Sequence, residues 1–153
     1  MLSDRGRLSG AATDLLTALA PRLGLHFAPL IPLYLPPVVR LLARPNKIFL
    51  KRADKCLSTI ITHCPIGTML PYIGEGTMDK SEACRRASST GLARACDEWS
   101  KETFGLRGVA ELENCLRKIA VDKDAEVCKI GKKIWTLYTA IWPERVEEYV
   151  FRL

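Results

Sequence analysis

With 153 residues, 48% of them hydrophobic and 26% charged, the chain is large enough for one domain with a real core and too apolar to stay disordered. A net charge of +6 directs it toward acidic partners, which leaves nucleic acid, an anionic membrane and an acidic protein surface in play. Six cysteines contain no C-x-x-C pair, and no signal peptide is read, so reduced buried thiols are expected rather than a disulfide framework. Cys56, His63 and Cys64 lack a fourth ligand, so no metal site is expected.

The first predicted element is a helix over residues 4–23, capped by Ser3 or Asp4 and closed by Gly24, with Leu8, Leu15 and Leu19 inward. It has no partner helix before it, which reads as a start inside a repeat, in a domain truncated on its N-terminal side. Residues 27–44 are almost wholly apolar and predict a second helix, kinked or broken by Pro29, Pro32, Pro36 and Pro37. The uncharged run at 25–39 is too short and too rich in proline to span a bilayer, so no membrane contact is expected. A turn at 44–47 leads into a paired helix over 48–64, which Pro65 stops. A shorter helix follows at 66–78, with Ile66, Met69, Leu70 and Ile73 inward, then a turn at 79–81 and a helix over 82–99. Residues 100–108 read as a long loop. A helix to Val121, a turn, a helix over 123–141 and a short closing helix from Arg145 complete the chain. No alternating strand pattern of useful length occurs.

The later helices share one pattern. In the last long helix Val127, Ile130, Ile134, Leu137, Tyr138 and Ile141 form an apolar stripe, with Lys129, Lys132 and Lys133 opposite. Shifted back by about 43 residues, Cys84, Ala87, Gly91 and Ala95 take the stripe positions, Asp79 that of Asp122, and Arg85 and Arg86 those of Cys128 and Lys129. A further shift of about 34 brings Leu50, Ala53, Leu57 and Ile61 onto the stripe, with Lys51 and Arg52 on the basic pair. Leu8, Ala11, Leu15, Ala18 and Leu19 repeat it once more. Self-similarity at roughly 35–45 residues predicts an all-α solenoid of three to four antiparallel helix pairs over residues 1–153.

An apolar residue, a basic one and a small one spaced just after an Asp-rich turn make the second-helix pattern of HEAT repeats. Here it stands as 50–54, 84–88 and 127–131. Together with Pro36-Pro37-Val38-Val39-Arg40, Lys80-Ser81-Glu82-Ala83-Cys84 and Trp142-Pro143-Glu144-Arg145, it resembles the N-terminal HEAT/TOG domain of the CLASP family over nearly the whole chain. The resemblance implies a microtubule-associated protein of the cytoplasm and cytoskeleton, acting in microtubule stabilisation, spindle organisation and cell division. It also implies that the turns inside successive helix pairs line one narrow edge that binds tubulin. By position that edge holds Asn46, Lys47, Lys51, Lys80, Arg85, Arg86, Lys123 and Lys129. Cys128 stands where the HEAT pattern has an arginine, and the first turns of the family's six or so repeats, with their aromatic tubulin contact, have no counterpart here.

An enzyme is not expected. The acidic residues are scattered over different helix faces, no Ser or Cys has an oriented histidine partner, and neither a P-loop nor G-x-G-x-x-G occurs. The same absences leave no cofactor and no small-molecule substrate. Nucleic acid is a weaker alternative to tubulin, since only Phe49 lies near the basic turns to stack on a base. A generic HEAT scaffold for another protein is the remaining reading.

Overall fold

The computed structural model describes residues 4–151, with side chains from residue 9 to residue 149. Among the described residues eight α-helices follow one another: α1 Asp4–Leu23, α2 Ile31–Leu42, α3 Lys47–His63, α4 Leu70–Gly76, α5 Glu82–Glu98, α6 Lys101–Ile119, α7 Ala125–Ile141 and α8 Pro143–Phe151. Short 3-10 turns, Gly24–Leu30 and Gly67–Met69, lead into α2 and α4. No strand occurs among the described residues. The helix expected over 27–44 begins only at Ile31, after a 3-10 turn that opens at Gly24 with a φ of 52° and holds Pro29, while Pro36 and Pro37 lie inside α2 without ending it. Residues Ser9–Leu42 are apolar enough to pass for a membrane-crossing segment on length and composition alone. Here the chain reverses at Gly24, and Leu16, Ala20, Phe27, Ile31, Leu35 and Leu42 are buried in the core.

The helices pair as α2/α3, α4/α5 and α6/α7. The second helices stack in the order α1, α3, α5, α7 as one layer, and α2, α4, α6 stack as the other. The sequence repeat is the packing register. A Cβ on Gly91 would sit 3.0 Å from Ile61 Cδ1 and 3.6 Å from Leu57 Cδ2, so the small residue of α5 receives the large ones of α3. Within the third pair, Gly131 of α7 faces α6, where Ile119 Cγ2 would lie 2.7 Å from an added Cβ. Fully buried side chains such as Leu57, Ile60, Ile61 and Ile73 each contribute about 1.5–3 kcal/mol. At the end of the stack away from the turns, Trp99, Phe104, Trp142, Tyr138, Trp135 and Tyr149 form a continuous seam of rings with centroids 5.1–5.7 Å apart. Trp99 Nε1 also donates to the Ile61 carbonyl at 2.8 Å, fastening α5 to α3.

Two expectations are corrected. Residues 100–108 are not a loop: Ser100 caps α6 by accepting from Thr103 N, and the helix begins at Lys101. The interruption is confined to Gly105, whose φ of 61° and ψ of −175° kink the helix and leave Leu106 exposed. In α1 the buried face is Gly10, Thr13, Leu16 and Ala20, whereas Leu15 is 58% exposed and Leu19 only half-buried. Small residues let α1 lie close on α3: Gly10 sits under the Arg52 guanidinium, and the Ala20 carbonyl accepts from Cys64 Sγ at 3.4 Å. The side chain of Leu8 lies outside the described residues.

A buried charge cluster fixes α8. Glu113 accepts from Tyr138 Oη at 2.6 Å and from Arg145 Nε at 2.7 Å, and the Tyr149 hydroxyl lies 3.4 Å from the Glu113 carbonyl. Burial pushes the Glu113 carboxyl up, but the hydrogen bonds from Arg145 and Tyr138 outweigh it and hold the group below its ordinary value.

Candidate functional site: the edge of intra-pair turns

Each second helix starts on a side-chain cap placed by the turn before it. Asn46 Oδ1 accepts from Ile48 N at 2.9 Å, Ser81 Oγ from Cys84 N at 3.3 Å, and Asp124 Oδ1 from Glu126 N at 3.2 Å. Two residues ahead of the later caps, Asp79 and Asp122 close matching Asx turns by accepting from Ser81 N and Asp124 N. These turns therefore have nearly one conformation, and their equivalent residues face alike.

One arginine ties the second turn to the third. The Arg85 side chain is buried, and its Nη1 donates to the Asp79 and Lys80 carbonyls, both at 3.0 Å. Its Nε donates to Asp122 Oδ2 at 2.9 Å, and Nη2 reaches Asp122 Oδ1 at 3.4 Å. Arg86 runs beside it, pairing Nε and Nη2 with the Asp124 carboxylate, which this contact holds below its ordinary value. The two turns are further joined where Lys118 Nζ of α6 lies 2.8 Å from Met78 Sδ.

The sequence placed Arg85 on the exposed edge, and that placement is corrected. Its guanidinium is consumed by the turns it joins, and Arg86, though half-exposed, is engaged with Asp124. Asn46 is exposed, and its side-chain oxygen serves as the cap. Lys47, Lys51, Lys80, Lys123 and Lys129 are all exposed and make no ion pair among the described residues. Asp122 faces Arg85 rather than capping α7, which Asp124 does. Cys128, at the repeat position of Arg85, donates from Sγ to the Asp122 carbonyl at 2.9 Å. Phe49 is buried, which leaves no exposed ring beside the first turn.

Three residues at this edge were not anticipated. Ile48, Met78 and Val121 are 57%, 48% and 81% exposed, one at each turn and each within two positions of Lys47, Lys80 or Lys123. An apolar residue recurring beside the lysine of each turn is the sequence signal that would have found them. The edge is thus a row of ammonium groups interleaved with exposed apolar side chains, rather than a purely basic strip.

A stack of antiparallel helix pairs with its turns aligned along one edge defines an all-α helical-repeat domain. The chain belongs to the CLASP N-terminal family, whose sequence profile matches residues 1–153. That membership makes it a CLASP-like, microtubule-associated protein of the cytoskeleton, and its family is a structural rather than a catalytic one. No curated protein matches the chain.

Proposed function

We propose that the turn edge binds tubulin, with Lys47, Lys80 and Lys123 as the leading contacts and Asn46, Lys51, Arg86 and Lys129 behind them. The observation that carries this reading is the pairing, at every turn, of an exposed unpaired lysine with an exposed apolar residue. Tubulin presents an acidic surface. A row of ammonium groups steers such a partner and adds a screened attraction, while Ile48, Met78 and Val121 supply area that is removed from water. In this reading the edge serves microtubule stabilisation and spindle organisation.

Arg85 acts as a positioning residue. By fixing the Asp79 and Lys80 carbonyls to Asp122, it sets the separation of the second and third turns before the partner arrives. Co-sedimentation with microtubules and size-exclusion with unpolymerised tubulin, each at low and moderate salt, test the proposal. Binding that weakens with salt and vanishes in Lys47→Glu/Lys80→Glu/Lys123→Glu supports it. Unaltered affinity in that variant would remove the edge from consideration.

A further inference from the structure

A second surface lies at the α6–α7 end of the stack, where a groove of about 600 Å³ runs between the two helices and α8. Its apolar wall is Leu116, Val121, Trp135 and Tyr149, and its charged groups are Arg117 and Lys132. No acidic residue lines it among the described residues. The Arg117 guanidinium stacks 5.2 Å above the Tyr149 ring, and its Nε is buried with no hydrogen-bond acceptor.

We propose that this groove docks an acidic amphipathic helix of a partner protein, its apolar stripe on Trp135 and Val121 and its carboxylates on Arg117 and Lys132. Charge decides the occupant. Stacked end to end, a second copy of the chain would offer this groove or the one at the opposite end, and both have the wrong sign. The groove between α1 and α2 is lined by Leu16, Val38 and Leu41 with Arg40 and Arg44, again with no acid among the described residues. Stacking one end on the other would set Arg40 and Arg44 against Arg117 and Lys132, and joining like ends would set each pair against itself. An acidic helix neutralises Arg117 and Lys132 in one contact.

The test uses a fluorescein-labelled synthetic amphipathic helix of leucine and glutamate, with the same leucine pattern on a lysine background as control. Trp135 is half-buried in the groove while Trp99 and Trp142 are buried elsewhere, so docking is read by anisotropy and by a blue shift in tryptophan emission. The acidic peptide is expected to bind and the basic one not. Lys132→Glu/Thr136→Glu, at two exposed positions, is expected to weaken binding by about tenfold or more, and Arg117→Gln likewise. Lys47→Glu/Lys80→Glu, at the two turns that do not line the groove, is expected to bind the peptide as the wild type does, so this proposal and the tubulin reading fail separately. Equal binding of both peptides, unchanged affinity in Lys132→Glu/Thr136→Glu, or no binding of the acidic peptide would overturn the assignment. A concentration-dependent dimer that the peptide dissociates would overturn it in favour of a second copy.

Discussion

Arg85→Met removes the link between the second and third turns while keeping the aliphatic stem. Four hydrogen bonds disappear, two to the Asp122 carboxylate and two to the Asp79 and Lys80 carbonyls. The Asp122 side chain is only 9% exposed, so its charge loses a partner in a place that water reaches poorly. Breaking a buried ion pair by deleting one member costs about 3–5 kcal/mol. Water can reach the two turn carbonyls and Asp122 keeps its bond from Asp124 N, which favours the lower end, about 3 kcal/mol. Urea unfolding followed by far-ultraviolet circular dichroism should show a lower midpoint at an unchanged slope. A double-mutant cycle with Asp122→Ala should return a coupling of about 1.5–3 kcal/mol. A loss under about 1 kcal/mol for Arg85→Met, or strict additivity in the cycle, would refute the view of Arg85 as a buried tie.

Three further outcomes are expected. Gly105→Ala should destabilise by about 1–3 kcal/mol although its Cβ would meet open space, because a φ of 61° with a ψ of −175° strains any side chain; Gly76→Ala should cost a similar amount by overpacking, with Ser88 Oγ 2.0 Å from the new Cβ, and thermal melts of both check the pair. Glu113→Gln should loosen α8 and cost about 2–3 kcal/mol, read by hydrogen exchange of residues 143–149. The native Glu113 carboxyl sits below its ordinary value of 4.5, so its stabilisation is complete above that pH and is lost as pH falls through the depressed native value; an acid titration of wild type should show a component that Glu113→Gln lacks. Burial raises the thiols of Cys64, Cys84 and Cys115 to about 11 and Cys96 to about 12, and raises Cys56 as well, so a thiol reagent should label Cys128 alone in the native protein and all six cysteines after unfolding.

Helix boundaries were legible where local chemistry sets them. Ser81 and Asp124 cap the helices they precede, Pro65 follows the end of α3, and the 34-residue shift matches the packing of Gly91 on Leu57. Residues 100–108 misled because two glycines in a charged stretch read as a loop, while the Ser100 cap and a single Gly105 kink preserve the helix. The buried face of α1 misled because large side chains drew the stripe, whereas close packing on α3 selects the small ones, Gly10, Thr13 and Ala20. Arg85 was misplaced for a different reason. Its partner lies 37 residues further along, and only the stacking of one repeat on the next brings a first-turn arginine onto the following turn's aspartate. Exposure of Ile48, Met78 and Val121 was likewise hidden, since each closes or opens a helix whose other apolar residues face inward.

In the proposed function the lysine row contacts tubulin without supporting the fold. Lys47, Lys80 and Lys123 are exposed and unpaired among the described residues, so reversing all three should leave helical content and unfolding midpoint close to wild type. The decisive measurement is the tubulin affinity of Lys47→Glu/Lys80→Glu/Lys123→Glu beside the wild type, at matched salt and with circular dichroism on the same samples. Wild type is expected to bind, and the variant to lose binding while remaining folded. A folded variant that binds tubulin as well as the wild type, or a folded wild type that does not bind at low salt, contradicts it.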